Sequence, residues 1–193
     1  MTFTNTMPQE ISQRWKASFG SAHPVGFLCR AELQSRWLRI HSLPLSKRYP
    51  DNDNERTEIV RRHLEVAEAL LGEQASCTLF LRYFGPVDEV NAESISGFER
   101  SDLTHLPELS VIDDDEELHF FATPFPWNEE RLKQLVLAVA DELSGPMLFA
   151  NLERGTAYAP YDGGADLFFS SSHEVDAART RWTEWLSARS DGL

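Results

Sequence analysis

Two short β-rich segments, Thr156–Tyr161 and Ala165–Ser170, are separated only by Asp162-Gly163-Gly164. Asp-Gly and Gly-Gly supply the positive φ that tight turns demand, so this stretch predicts a β-hairpin. A tight hairpin commits its strands to antiparallel pairing. The elements around it point the same way. The 3.6-residue apolar period predicts helices over 53–72 and 128–144, the first opened by an Asn52/Glu55 capping arrangement and closed by Gly72. Further helices are expected over 8–18 and 172–188. Strands are expected over 25–31, 35–42, 76–84, 117–123 and 147–152. Strands come in runs, with helices interspersed rather than alternating. That order predicts an α+β fold: a largely antiparallel sheet packed with about four helices, in one domain spanning residues 1–193.

Charge is unevenly spread. The chain of 193 residues has a formal net charge of −13. Between Val87 and Glu117 stand eleven acids and one base, Arg100, so this segment carries −10 of the total. Its apolar residues have no clear period, and 87–117 reads as an acidic, loop-rich insertion, with room for a short strand near 94–98. A long structureless loop inside a compact domain is uncommon and often functional. The charge argues against nucleic acid as a partner, since duplex binding needs a basic footprint. No stretch approaches about 18 consecutive apolar residues, so no membrane span is expected. The N-terminus has no basic start followed by an apolar stretch, and a cytoplasmic location is expected. Cys29 and Cys77 are too few for a thiol zinc site or a disulfide scaffold, and read as buried free thiols.

Motifs with chemistry are scarce. Asp51–Glu55 begins like a calcium loop, but Arg56 stands where Gly is needed and Arg62 where the bidentate Glu is needed. None of the six histidines forms a metal-ligand spacing, so neither metal nor cofactor is implied. His63 and His119 read as packed, hydrogen-bonded residues. No nucleophile elbow, Walker loop or dinucleotide fingerprint occurs. The bases Arg36, Arg39, Lys47, Arg48, Arg61 and Arg62 could meet phosphates, but are read first as solvated or paired within the molecule, with the acidic segment as one available counter-charge.

The stretch Tyr158-Ala159-Pro160-Tyr161-Asp162-Gly163-Gly164-Ala165-Asp166-Leu167, followed by Arg181-Trp182-Thr183-Glu184-Trp185-Leu186-Ser187, resembles the bacterial family of unknown function DUF3885. Arg39-Ile40-His41 through Lys47-Arg48-Tyr49 resembles the N-terminal part of some members. The resemblance implies a bacterial protein and brings no established activity.

Two readings of function follow. The first is a non-enzymatic protein-binding module, immunity- or antitoxin-like, whose acids Asp113, Asp114, Asp115, Glu116 and Glu117 meet a basic partner protein. Charge complementarity would speed that association. The second is a small hydrolase-type enzyme with a dispersed site: His41, Asp162 and Asp166 for acid–base work, and Arg39 or Arg48 for an anionic substrate.

Overall fold

The computed structural model describes residues 6–73, 75–86, 94–95, 97–113, 116–189 and 191–192. Its centre is an eight-stranded sheet in which every pairing is antiparallel. The strands are β1 (Trp37–His41), β2 (Ser76–Phe84), β5 (Thr104–His105), β6 (Val111–Asp113), β7 (Glu116–Pro126), β8 (Met147–Asn151), β9 (Thr156–Tyr161) and β10 (Gly164–Phe168). They lie in the order β1-β10-β9-β8-β2-β7-β5, and β6 joins β7 beside β5. Strands β3 (Ser94–Ile95) and β4 (Phe98–Glu99) form a separate small hairpin. The helices are α1 (Met7–Phe19), α2 (Gly26–Glu32), α3 (Asp53–Leu71), α4 (Glu129–Ala140) and α5 (Ser172–Arg181). This is the expected α+β architecture.

Period-two alternation along the strands builds two cores. On one face Ile40, Leu79, Phe121, Phe149 and Leu167 pack beneath α3, α4 and α5. On the other, Phe80, Phe120, Leu148 and Phe168 pack beneath Trp15 and Phe19 of α1 and Cys29 of α2. Helix α3 starts at the cap the sequence places, the Asn52 side chain accepting from the Glu55 N–H; α4 is capped in the same way by Asn128, whose side chain accepts from the Arg131 N–H. Both cysteines are buried free thiols, and burial pushes their pKa values up, to about 12 for Cys29 and about 11 for Cys77.

Three differences from the sequence expectation have physical causes. Residues 25–31 were expected as a strand and fold as α2. A short apolar run fits a buried strand or a buried helix equally, and Phe27-Leu28-Cys29-Arg30-Ala31 holds no β-branched residue to tip it. Strand β7 runs through Pro124 and Pro126, where an interruption was expected. The Phe120 carbonyl accepts from the Leu106 N–H, so even-numbered residues of β7 point their backbone polar groups to the outer edge. Beyond β5 that edge has no strand partner at Pro124 or Pro126 among the described residues, and the missing proline N–H groups break no ladder bond there. The acidic segment, expected as mostly loop, contributes four short strands. Leu103, Leu106 and Leu109 of that segment are buried, spaced three apart with no regular element to reveal a period.

Candidate functional site

Strands β9 and β10 form the expected hairpin, with Tyr161 opposite Gly164 across the Asp162-Gly163 turn. Neither Gly163 nor Gly164 takes a left-handed φ, so positive φ is not why they are glycines. At Gly164 the reason is proximity. A Cβ there would stand 2.0 Å from the Ile40 carbonyl oxygen of β1 and 2.8 Å from the Tyr161 hydroxyl. Gly164 lets β1 pair against β10 in the register that places Arg39 opposite Asp166 and His41 opposite Gly164.

That register builds the first cluster. Arg39 grips Asp166 through two bonds of 2.9 Å, and the Trp37 indole N–H donates to the same carboxylate at 2.7 Å. Asp166 is 4% exposed. The Arg39 guanidinium lies 4.6 Å from the Tyr161 ring centroid. Burial alone would lower the Arg39 pKa. The hydrogen bond and charge of Asp166 outweigh it and hold the group above its usual value. Helix α2 closes the cluster at Gly26, where a Cβ would stand 3.5 Å from an Asp166 oxygen. Asp166 is thus committed to Arg39 and Trp37.

The second cluster forms around Asp162. Arg48 donates to its carboxylate, and the Tyr49 hydroxyl lies 3.2 Å from Asp162 and 2.7 Å from Glu142. Burial alone would raise the Asp162 pKa, but the bonds from Arg48 and Tyr49 and the Arg48 charge hold it below its usual value. Leu45, Ser46 and Glu142 are the three non-glycine residues with left-handed φ among the described residues, and all three flank this cluster. Such strain is unfavourable and tends to collect where a structure must aim particular side chains.

His41 sits between the two clusters along β1, with no hydrogen bond to either carboxylate. Burial, then the charges of Arg39 and Arg62, lower its pKa, and its Nε2 is buried without a hydrogen-bond partner. The fold therefore gathers His41, Asp162 and Asp166 at one corner of the sheet, but both carboxylates are engaged by arginines. The other bases are also internally paired: Lys47 with Asp51 and Glu55, Arg61 and Arg62 with Glu58, while Arg36 donates to the Ser18 carbonyl. None of these counter-charges belongs to the acidic segment.

One polar network had only partial sequence signal. His63 of α3 lies fully buried between the Ser42 hydroxyl at 2.7 Å and the Tyr158 hydroxyl at 2.6 Å. Desolvation, with the nearby charge of Arg62, pushes the His63 pKa down to about 3. The buried imidazole is neutral, so one ring nitrogen donates and the other accepts. Unfolded, the same ring protonates near 6.5, so between pH 6.5 and 3 the unfolded chain binds the extra proton. Stability then falls as the pH is lowered, by at most about 1.4 kcal/mol per unit from this residue. Urea unfolding from pH 7 to 4 should show a shallower pH dependence in His63→Gln than in wild type; identical slopes would show that His63 does not stay neutral.

The expected binding acids divide. Asp114 and Asp115 lie outside the described residues. Asp113 and Glu116 form the last register pair of the β6–β7 hairpin, and Ile112 stands opposite Glu117. Glu117 is 3.1 Å from Nε2 of His119, whose Nδ1 lies 3.3 Å from His105 Nε2 and 3.2 Å from the Ser110 hydroxyl. Ile112 is 72% exposed on the outer strand. Among the described residues no group of three His, Cys, Asp or Glu side chains could hold a metal ion, and no helix is long and apolar enough to cross a membrane.

A family model described as a domain of unknown function, DUF3885, matches residues 25–190. The chain belongs to the DUF3885 family. The matched region covers the entire eight-stranded sheet, both carboxylate clusters and the acidic hairpin, and leaves out α1. No curated protein and no solved structure matches this DUF3885 chain.

Proposed function

We propose that this DUF3885 protein is a non-enzymatic binding module that engages a basic protein partner through the β6–β7 hairpin, in the manner of an immunity or antitoxin protein. The observation that carries this reading is the 72% exposure of Ile112 on an outer strand whose hairpin ends in acids. An outer strand offers unpaired backbone groups for strand addition. An exposed apolar side chain supplies an anchor, and surrounding acids select a basic surface and raise the association rate.

The enzyme reading draws on one observation, the unpartnered buried Nε2 of His41. Against it stand the two arginine-bound carboxylates, which leave His41 without an orienting acid. Affinity capture from a lysate of the native host tests the binding reading. Ile112→Lys should abolish retention of the basic partner, while Leu45→Lys, at a fully exposed residue before the Asp162 cluster, should retain it. Equal capture by both variants would remove the hairpin from the interface.

A further inference from the structure

We propose that the groove between α3 and α5 binds a small amphipathic monoanion, an aliphatic carboxylate, with its tail on the groove floor and its head at Arg154. The groove encloses about 500 Å³, within the roughly 300–1,000 Å³ typical of small-molecule sites. Its wall and floor are apolar: Leu70 from α3, Ala178 from α5, and Phe169 and Trp182. The Trp182 indole N–H is already donated to Glu65 at 2.9 Å, which ties α5 to α3 at that point. Thr156, also in the lining, donates its hydroxyl to the Leu70 carbonyl at 2.6 Å. The floor therefore offers few free donors for a peptide or a sugar, and its chemistry suits a hydrocarbon chain.

The charge at the rim selects the head group. Arg154 is exposed and has no acidic partner among the described residues, in a chain of net charge −13. Its guanidinium is seated over Gly72, where a Cβ would come within 2.7 Å of it. Gly72 has φ +89, a backbone conformation that glycine takes without strain. The Asn151 side chain accepts from the Arg154 N–H and so fixes the turn that carries it. Arg181 adds a second cation on the opposite wall, held loosely by Glu65 at 3.4 Å. Glu174 is the opposing charge on the rim, bonded to the Ser170 N–H and hydroxyl. Arg181 is paired with Glu65, and Glu174 is bonded to Ser170, so Arg154 is the lining cation without an acidic partner among the described residues, and one such cation suits a monoanion.

The test is calorimetric titration of the full chain at pH 7 with octanoate, 1-octanol and acetate. Octanoate should bind with one-to-one saturation, and 1-octanol and acetate each at least roughly tenfold more weakly, because each lacks one half of the recognition. Arg154→Gln should weaken octanoate by roughly tenfold, the scale of one charge-assisted contact. Ala177→Trp, at an exposed lining residue, should block the groove. Glu174→Gln keeps its bonds to Ser170 and removes the repulsion, so it should tighten binding, a gain that misfolding cannot mimic. Absence of saturable octanoate binding, equal binding of 1-octanol, or an unchanged affinity across all three variants overturns the proposal.

Discussion

Asp166→Ala should destabilise the protein by roughly 3–5 kcal/mol, the cost of leaving a buried charge without its partner. The substitution removes both acceptors of Arg39 and the acceptor of the Trp37 indole at once. Arg39 cannot simply swing into water, because its side chain is only 15% exposed and its guanidinium is stacked on Tyr161. In a chain of this length that loss lowers Tm by on the order of 10 °C. Replacing both partners with apolar residues, Arg39→Met with Asp166→Leu, should recover most of it, since the penalty lies in the orphaned charge rather than in the missing attraction. Urea unfolding of the wild type, the single and the double variant measures both numbers. An Asp166→Ala protein as stable as wild type would mean that water reaches Arg39 freely.

Gly164→Ala should be at least as damaging, and for a different reason. A methyl group 2.0 Å from the Ile40 carbonyl cannot be accommodated by a side-chain rotation, because the obstacle is the backbone of β1. Overpacking against mobile side chains costs roughly 1–3 kcal/mol, and displacing a paired strand should exceed about 3 kcal/mol. Its neighbour supplies the control. A Cβ at Gly163 would meet the Tyr161 ring at 3.1 Å and the Arg48 side chain at 3.4 Å, both able to give slightly. Gly163→Ala also loses unfolded-state entropy, which favours folding by roughly 0.4–1 kcal/mol. It should therefore stay within about 1 kcal/mol of wild type. Hydrogen exchange should locate the damage of Gly164→Ala in β1. Equal effects at the two glycines would show that the β1–β10 packing is not what demands Gly164.

The contrast between these glycines also shows what a sequence carries. Asp162-Gly163-Gly164 announced the hairpin correctly, but through a φ argument that the turn does not use. The demand at Gly164 comes from a strand more than 120 residues earlier in the chain, which no local pattern displays. Helix α3 was legible because nineteen residues repeat one apolar period between a cap and a glycine. Strands β5 and β6 were not, because two or three residues on an outer strand cannot establish an alternation. The sequence marks Asp166 as an acid–base candidate and Arg39 as a base paired somewhere within the molecule, with an anionic substrate as its alternative, but it does not say which acid Arg39 meets. They face each other, a pairing fixed only by the sheet register. Ser42 carried no signal at all: its importance comes from His63 reaching it across the core.

The most direct test of the proposed binding function compares wild type with Asp113/Asp114/Asp115→Asn in affinity capture from a lysate of the native host, washed over a salt series. Exposed charge pairs weaken as the Debye length contracts from about 10 Å at 0.1 M to about 3 Å at 1 M ionic strength. The account predicts a basic protein that wild type retains at low salt, releases as salt rises, and that the triple variant fails to hold. A basic protein retained equally by both forms, or no basic protein on either, would contradict it.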